Sequence, residues 1–409
     1  MTVTVDFDER EGWTASQRAA ELTELAYSAG AKVIREEIVR RAKIEPAHFI
    51  GSGKAEEIAG MCKDEGINTV IFNNDLTGSQ HKNLEAAIGV KVVDRTQLIL
   101  DIFARRAHSN EGKIQVELAQ LTYLLPRLTG KGVEMSRLGG GIGTRGPGEQ
   151  KLEVDRRRIR DRISHLEKEL EKLSARRAMM RKRRERFSVL TVAIIGYTNA
   201  GKSTLLNSLT ASNVIVQDKL FSTLDPTIRK FILPNKQKIL FADTVGFLDR
   251  LPHHLIEAFK ATLEEVVEAD LLLHIIDINH AKTMAQADAV SKVLEELGAK
   301  DKPVITVLNK IDKVENKVLI NKLSTYFNDA VPISALKKEG FDELIRRIMY
   351  YADALMIDIK VSLPAADPKA VNLIYENGLV KSRFYRGNKV YIEARVPLRI
   401  KEILERKSA

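Results

Sequence analysis

The first residues that could carry out chemistry form a glycine-rich loop between a predicted strand and a predicted helix. Gly196 to Ser203 reads GYTNAGKS and matches the pattern G-x-x-x-x-G-K-[ST], with the apolar run VLTVAII before it. In this setting, successive backbone N–H groups can close around a phosphate. Lys202 can place a cation beside the β- and γ-phosphates, and the Ser203 hydroxyl can bind Mg²⁺. The loop therefore predicts a nucleotide-phosphate site.

Two shorter motifs also follow predicted strands. Asp243–Gly246 reads DTVG, where the aspartate can hold Mg²⁺ through a water and the glycine N–H can reach a γ-phosphate. Asn309–Asp312 reads NKID, and its aspartate can accept hydrogen bonds from N1–H and the exocyclic amine of guanine. Adenine does not present that pair of donors. The asparagine can either tie this loop to the phosphate loop or reach the guanine N7.

Composition limits the class of protein. The chain has 409 residues, is 44% hydrophobic and 29% charged, and has a net charge of +10. These values exclude a disordered chain or a collagen-like repeat, and a single cysteine, Cys62, fits a reducing compartment. Without an apolar run near ~20 residues or a visible secretory signal, we expect a cytoplasmic protein with no transmembrane segment. The basic surplus favours a polyanionic partner, with nucleic acid first and peripheral contact with an acidic membrane surface second.

Between residues 111 and 187, two helices with heptad spacing flank a basic, glycine-rich connector at 129–150. The spacing 4, 3, 4, 3 occurs at Ile114, Leu118, Leu121, Leu125 and Leu128, and again at Ile159, Ile163, Leu166, Leu170 and Leu173. It predicts an antiparallel helical hairpin, and the alternative is two ordinary amphipathic helices packed on neighbouring domains. From Lys151 to Phe187, 15 Lys and Arg oppose 7 Asp and Glu. This surplus favours RNA contact, for which the candidates are Arg137, Arg145, Arg181, Lys182, Arg183 and Arg184.

Taken in order, the three nucleotide motifs resemble those of the translation-factor-related GTPases. The stretch from Arg137 to Glu149, RLGGGIGTRGPGE, closely resembles the signature that precedes the GTPase domain in the HflX family, as do Leu152-Glu153 and Asp155 to Arg158 after it. Gln150-Lys151 departs from that pattern, in which a Thr-Gln pair is expected. The resemblance covers essentially the full length of the chain.

The resemblance implies roles for further residues. Phe221–Asp225 would be the first switch, in which Thr223 would bind Mg²⁺ and the γ-phosphate, with Thr227 as the second candidate. Ser334–Leu336 would be the fifth motif, with an alanine N–H on the guanine oxygen. The catalytic candidates are Lys202, Thr223 and Gly246, and the metal candidates are Ser203, Thr223 and, through a water, Asp243. The candidates for GTP binding are Gly196, Tyr197, Thr198, Asn199, Ala200, Gly201, Lys202, Ser203, Phe221, Ser222, Thr223, Leu224, Asp225, Asp243, Thr244, Val245, Gly246, Asn309, Lys310, Ile311, Asp312, Ser334, Ala335 and Leu336.

Phe247 is a departure from Ras-like enzymes, which have a glutamine at this position to orient the attacking water. Phenylalanine cannot orient water. We therefore expect slow intrinsic hydrolysis, with the water positioned by another residue, a partner or an ion.

The predicted fold is α/β with four parts. These are a small parallel N-terminal α/β domain at 1–110, a helical-hairpin arm at 111–187, a Ras-like P-loop GTPase domain at 188–354, and a small C-terminal α+β domain at 355–409. Alternating strand and helix patterns in the first and third parts predict parallel sheets. The predicted strands of the first part are Ala31–Val39, Thr69–Phe72 and Val90–Val93, and those of the third part are Leu190–Ile195, Lys238–Ala242, Leu271–Asp277, Val304–Leu308 and Ala330–Ile333.

The functional hypotheses follow from the family and from charge. HflX proteins bind the large ribosomal subunit, split stalled ribosomes under stress and also hydrolyse ATP. The resemblance therefore implies a Mg²⁺-dependent enzyme that uses GTP and GDP and contacts the large subunit and its RNA. We also expect a monomer. The resemblance leaves open an ATPase activity linked to the N-terminal domain, where Gly51–Lys54 is a candidate phosphate contact. The alternative is an RNA-binding or RNA-remodelling protein whose affinity is tuned by nucleotide.

Overall fold

A computed structural model describes residues 1–7, 13–128, 147–185, 189–210, 227–248, 260–327, 329–354, 356–364, 368–397 and 400–404. The chain divides into two compact units. The first contains the described residues up to Lys172, and the second contains those of 173–248 and 261–404. Within the described residues, no helix is both long and apolar enough to cross a membrane.

The first unit is built on a four-stranded parallel sheet, as predicted. Its strands are β1 Thr2–Asp6, β2 Glu36–Arg40, β3 Thr69–Phe72 and β4 Lys91–Val93, in the order β2-β1-β3-β4. The helices are α1 Ala15–Ser28, α2 Ser52–Asp64, α3 Gly78–Ile88, α4 Arg95–Arg106 and α5 Asn110–Leu124.

The predicted strand from Ala31 to Val39 is shorter in the structure and runs from Glu36 to Arg40. The reason is the length of its neighbour, because β1 has only five residues and each is paired, from Thr2 opposite Glu36 to Asp6 opposite Arg40. The sequence analysis did not identify β1, although it is almost wholly buried.

A buried carboxylate, Asp94, joins several elements of this unit. It caps α4 by accepting the Gln97 N–H at 2.9 Å, and it accepts the Tyr123 hydroxyl of α5 at 2.7 Å. The Leu76 N–H and the Arg127 guanidinium also donate to it, at 3.3 and 3.2 Å. Buried charges are stable only when they are paired and hydrogen-bonded in this way. The end of α5 is therefore held against α4.

The two heptad-spaced helices are α5 and α6, which spans Pro147–Glu185. In α6 the predicted seam is correct, because Leu166 is fully buried and its seam neighbours are half-buried. The two helices touch where Arg162 donates to both carboxylate oxygens of Glu117, at 2.7 and 2.8 Å. In α5, however, Val116 and Ala119 are more buried than the predicted seam residue Leu118, because α5 packs on α4. For α5 the structure thus favours packing on the neighbouring domain.

The second unit contains a six-stranded sheet in the order β10-β9-β8-β5-β7-β6. All neighbours are parallel except β6, which pairs antiparallel with β7. The strands are β5 Leu190–Gly196, β6 Thr227–Ile232, β7 Lys238–Asp243, β8 Leu271–Asp277, β9 Val304–Asn309 and β10 Ala330–Pro332. The helices are α7 Lys202–Thr210, α8 Lys260–Glu268, α9 Thr283–Glu296, α10 Lys317–Tyr326 and α11 Phe341–Ala354. Strand β6 was not identified from the sequence.

The same unit ends in a three-stranded antiparallel sheet in the order β11-β13-β12, which confirms an α+β module. Its elements are β11 Met356–Pro364, α12 Pro368–Asn377, β12 Leu379–Arg386, β13 Lys389–Pro397 and a helical stretch at 400–404. One face packs on α12 through an apolar cluster that includes Ile374, Ile392 and Val396. The boundaries proposed between the four parts remain predictions.

Because Tyr123 donates to a buried carboxylate, Tyr123→Phe should lower the free energy of unfolding of the first unit by about 1.5–3 kcal/mol, the range for a hydrogen bond to a charged group. The measurement is urea unfolding followed by circular dichroism. The control is Tyr27→Phe in α1, where the ring is half exposed and a shift of comparable size would count against this assignment.

Candidate nucleotide-binding site

The phosphate loop leaves the carboxyl end of β5, which lies between β7 and β8 inside the large sheet. Gly196 has φ +149°, and a Cβ built on it would lie 2.3 Å from the Ile275 carbonyl oxygen of β8. Helix α7 begins at Lys202, so its N-terminal N–H groups open into the loop. The loop thus combines a close backbone approach with the positive end of a helix, as an anion site requires.

Lys202 is buried within the loop. Its ammonium donates to the carbonyl oxygens of Tyr197 at 2.8 Å and Gly196 at 3.1 Å. Burial lowers the pKa of Lys202 to about 8, and the Asp243 carboxylate partly offsets that effect. Nearby on β8, burial and the Lys202 charge lower the pKa of His274 to about 4, so this histidine is neutral at neutral pH. A phosphate in the loop would replace the missing solvation of the lysine cation.

The hydroxyl and the carboxylate predicted to hold Mg²⁺ lie beside each other. The Ser203 hydroxyl donates to Oδ2 of Asp243 at 2.8 Å, and both residues are buried. A hydroxyl and a carboxylate at a phosphate loop are the oxygen donors that Mg²⁺ prefers, so the residues fit this ion. The Thr198 hydroxyl oxygen is also buried, and it has no hydrogen-bond partner among the described residues. The site therefore has polar atoms suited to a ligand.

The segment from Asp243 to Phe247 is fastened to the phosphate loop by its backbone. The Phe247 N–H donates to the Gly196 carbonyl at 3.1 Å, and the Thr198 N–H donates to the Phe247 carbonyl at 2.9 Å. A Cβ on Gly246 would lie 2.9 Å from the Lys202 ammonium nitrogen. The Phe247 ring is fully buried, so it anchors this segment and is not placed to orient a water.

Asn309, at the end of β9, connects the guanine loop to the phosphate loop. Its Nδ2 donates to the Ala200 carbonyl at 2.8 Å, and its Oδ1 accepts the Ala335 N–H at 3.0 Å. The first of these hydrogen bonds ties the two loops together, which is one of the two roles that the sequence left open for Asn309. Gly201 has φ +98°, and a Cβ there would lie 2.2 Å from this Nδ2, so the tie requires glycine.

The carboxylate proposed to recognise guanine is held by a hydroxyl. Ser334 donates to Oδ1 of Asp312 at 2.6 Å, which leaves Oδ2 for a ligand. Lys310 has φ +66° and pairs with Asp277 at 2.7 Å. Asp277 is a contributor that the sequence analysis missed, although it ends the strand next to the NKID strand. This pair orients the loop that carries Asp312.

The other candidates are placed as follows. Leu336 is 72% exposed, beside the buried Ala335. Thr227, the second switch candidate, opens β6 and pairs with Asp243 across the two strands. The switch candidates Phe221, Ser222, Thr223, Leu224 and Asp225 lie outside the described residues, as do Arg137 and Arg145. The backbone of Arg181–Arg184 is helical within α6.

The proposed second phosphate contact at Gly51–Lys54 has a different environment. The Lys54 ammonium contacts the carboxylates of Glu37 and Glu57 at 2.9 and 2.8 Å. Its charge is thus already balanced, and the turn adds no support for an ATPase activity in the first unit.

Known proteins resemble this chain along most of its length. Family models described as GTP-binding GTPase N-terminal, GTP-binding GTPase Middle Region and 50S ribosome-binding GTPase match residues 16–104, 106–184 and 191–310. GTPase HflX of Caldanaerobacter subterraneus is 50% identical, with 94% of this chain and 88% of that protein covered. GTPase HflX of Escherichia coli is 39% identical, with 92% and 89% covered. A GTP-binding protein from Sulfolobus solfataricus, solved with GDP, is 28% identical with a TM-score of 0.46, covering 87% of this chain and 99% of that one.

A phosphate loop, a hydroxyl–carboxylate pair and a guanine loop, all at the same edge of a mostly parallel sheet, define a P-loop GTPase. The two HflX relatives align with more than nine-tenths of this chain. The chain belongs to the HflX family of GTPases.

Because the pKa of Lys202 is about 8 in the free loop, guanine-nucleotide affinity should decline as the pH rises above 8. Bound phosphate stabilises the ammonium and so raises the pKa of Lys202 in the complex. The affinity is therefore constant well below pH 8. At higher pH it falls by at most about tenfold per pH unit, until the pH reaches the pKa of the complex. Fluorescent GDP titrated between pH 7 and 9 measures this. Lys202→Met should bind weakly and without the decline, whereas a flat profile in the unchanged protein would contradict the assignment.

Asp312→Asn should reverse the recognition of the base. An amide nitrogen at this position cannot accept the two guanine donors, so GTP affinity should fall by about two to four orders of magnitude, as when a site loses a buried polar match. Xanthosine triphosphate, which carries an oxygen in place of the amine, should gain affinity. Calorimetric titration with both nucleotides measures the change. Asp301→Asn, an exposed acid of the same unit, is the control and should alter neither.

Proposed function

We propose that this chain is a Mg²⁺-dependent GTPase that binds the large ribosomal subunit and splits or rescues stalled ribosomes under stress. The observation that carries the nucleotide part is the pair of hydrogen bonds made by Asn309, which join the phosphate loop to the guanine loop. The ribosomal part is supported by the match to a family described as 50S ribosome-binding GTPase. Monomeric state and cytoplasmic location remain predictions.

Each residue of the site has a physical task in this proposal. The Lys202 ammonium neutralises phosphate charge from inside a buried loop. Ser203 and Asp243 would hold Mg²⁺, with Thr223 as the proposed switch ligand; the ion would supply a positive charge between the phosphates. Asp312 would accept the guanine donors while the Ser334 hydroxyl keeps its carboxylate in position.

The connection between nucleotide state and the rest of the protein lies in the backbone. Because the Phe247 backbone is hydrogen-bonded to the phosphate loop, a shift in the loop on phosphate binding would reach the segment that follows. The buried Phe247 ring occupies the position at which Ras-like enzymes have a glutamine, and it cannot orient the attacking water. We propose that the missing positioning group comes from the ribosomal complex, so that hydrolysis is fast only on the subunit.

The first test is steady-state GTP hydrolysis with and without purified large ribosomal subunits, beside Asp312→Asn. Strong stimulation by the subunit, with loss of guanine preference in the variant, is the expected result. An unchanged rate would remove the subunit as the activator and favour an RNA-binding protein whose affinity is tuned by nucleotide.

The second test concerns the basic end of α6. Reversing four charges, at Arg181, Lys182, Arg183 and Arg184, should weaken subunit binding by more than about tenfold at low salt and reduce the salt dependence, because phosphate contacts release counterions. Sedimentation with subunits measures the affinity. The control reverses four exposed lysines of the second unit, Lys292, Lys313, Lys317 and Lys322, with the same change in net charge. Equal losses in both variants would show only a non-specific effect of charge.

A further inference from the structure

The three-stranded sheet at the end of the chain has one covered face and one open face. Its central strand, β13, alternates, so that Val390, Ile392 and Ala394 belong to the apolar cluster beneath α12. The residues between them, Tyr391 and Glu393, belong to the opposite face, because side chains alternate along a strand. No described element packs on that face in the way that α12 packs on the other.

Two aromatic rings form a stack on the open face. Phe384 of β12 is directly opposite Tyr391 of β13, and their rings are parallel, with an interplanar angle of 3° and centroids 5.0 Å apart. Strand β12 is at the edge of the sheet, so no described strand lies beyond Phe384. The Phe384 side chain is 56% exposed. Its outer ring face is therefore available to a third planar group.

A second aromatic set lies nearby on the other side of the same edge strand. Tyr385 points away from Phe384 because adjacent residues alternate, and it is also exposed. The Arg383 guanidinium lies 5.3 Å from the Tyr385 ring centroid and 5.8 Å from that of Tyr375 in α12. A guanidinium plane and an exposed tyrosine are both surfaces on which bases stack. The edge strand thus presents planar groups on both sides.

The charge of this surface suits a polyanion. From Leu379 to Pro397 there are five basic residues, Lys381, Arg383, Arg386, Lys389 and Arg395, against one acid, Glu393. Lys381 and Arg395 are paired with Asp358 and Asp353, so the positive charge of this edge rests on Arg383, Arg386 and Lys389. Glu393 is paired with Lys360 of β11 at 3.1 Å. Arg386 and Lys389 are opposite each other beside the Phe384–Tyr391 stack and form no ion pair with the described residues. Cations at one end of the stack would meet a phosphate backbone.

We propose that this edge of the sheet, with Phe384, Tyr391, Arg386 and Lys389 on the open face and Arg383 and Tyr385 on the other side of β12, binds single-stranded RNA by stacking unpaired bases on its aromatic rings. Cross-strand aromatic pairs also stabilise sheets, but that role does not require an exposed outer ring face with unpaired cations beside it. Base stacking on aromatic side chains next to a positive groove is the general mode of single-strand binding. The choice of RNA rests on the ribosome-binding family; the stacking itself does not depend on the GTPase proposal.

The test uses the full chain and a labelled 12-nucleotide RNA of repeated CA, as a single strand and as a duplex with its complement. Phe384→Ala and Tyr391→Ala should each weaken single-strand affinity about tenfold, the size of one stacking contact, and change duplex affinity less than about twofold. Phe384→Tyr should retain binding because it keeps a ring. Fluorescence anisotropy measures both affinities. Tyr350→Ala, which removes a ring that is 73% exposed on α11, is the matched control.

The same measurements distinguish RNA binding at the C-terminal sheet from RNA binding at the basic end of α6. The four-charge reversal on α6 should weaken single-strand and duplex binding together, because electrostatic contact does not require unpaired bases. GDP affinity should be unchanged in Phe384→Ala and its thermal unfolding should stay cooperative, with at most a small fall in melting temperature from the lost cross-strand pair, which excludes unfolding. If Phe384→Ala and Tyr391→Ala leave single-strand affinity unchanged, the proposal is overturned. If they then weaken only the binding of whole subunits, the surface belongs to a protein contact instead.

Discussion

The side-chain amide of Asn309 is the contact on which the nucleotide site depends. It reaches the carbonyl of Ala200 in the phosphate loop and accepts the N–H of Ala335 in the last loop of the site. Three segments that are far apart in the chain are thereby held at one spacing. Gly201 is required because a side chain there would occupy the space of the amide. The distance between the phosphate and guanine ends is thus set by contacts within the protein.

The second constraint is the buried charge of Lys202. A lysine cation without water is costly, and the two loop carbonyls that it contacts offset only part of that cost. The lowered pKa expresses this imbalance. A bound phosphate compensates the buried lysine charge. The burial that makes the loop less stable when it is empty therefore favours phosphate binding.

Phe247 serves the site through its backbone and its buried ring, and this leaves the hydrolytic water to be positioned by another group. An enzyme of this kind is well suited to activation by a large partner.

Outside the nucleotide site, the described residues include a packed junction in the first unit and two surfaces that suit a polyanion. In the first unit, the carboxylate of Asp94 fastens α5 to α4, so that the start of the heptad-spaced region belongs structurally to the parallel sheet. Helix α6 carries the concentrated positive charge, and the C-terminal sheet presents stacked aromatic rings beside cations. Charge and aromatic stacking are complementary means of holding RNA, because one contacts the backbone and the other the bases.

Much of the architecture was predictable from local pattern. The bounds of β3 and β8 agree with the prediction, and the three nucleotide motifs lie at the strand ends where their spacing placed them. Strands β1 and β6 were missed because neither is a continuous apolar run: β1 alternates threonine with valine, and β6 contains Arg229 and Lys230. The start of β2 was predicted too early, at Ala31 instead of Glu36, because a strand extends only as far as its neighbour pairs with it.

The sequence by itself determined the class of the protein, the identity of the phosphate and guanine motifs and the location of the basic arm, because each depends on residues that are close together in the chain. Only the tertiary structure decided which alternative Asn309 adopts, that Asp277 supports Lys310, and that Phe384 and Tyr391 stack. The physical reason is that these contacts arise where separate elements meet. Asn309 and Ala200 are 109 residues apart, and the packing of β5, β8 and β9 in one sheet brings them within a hydrogen bond of each other.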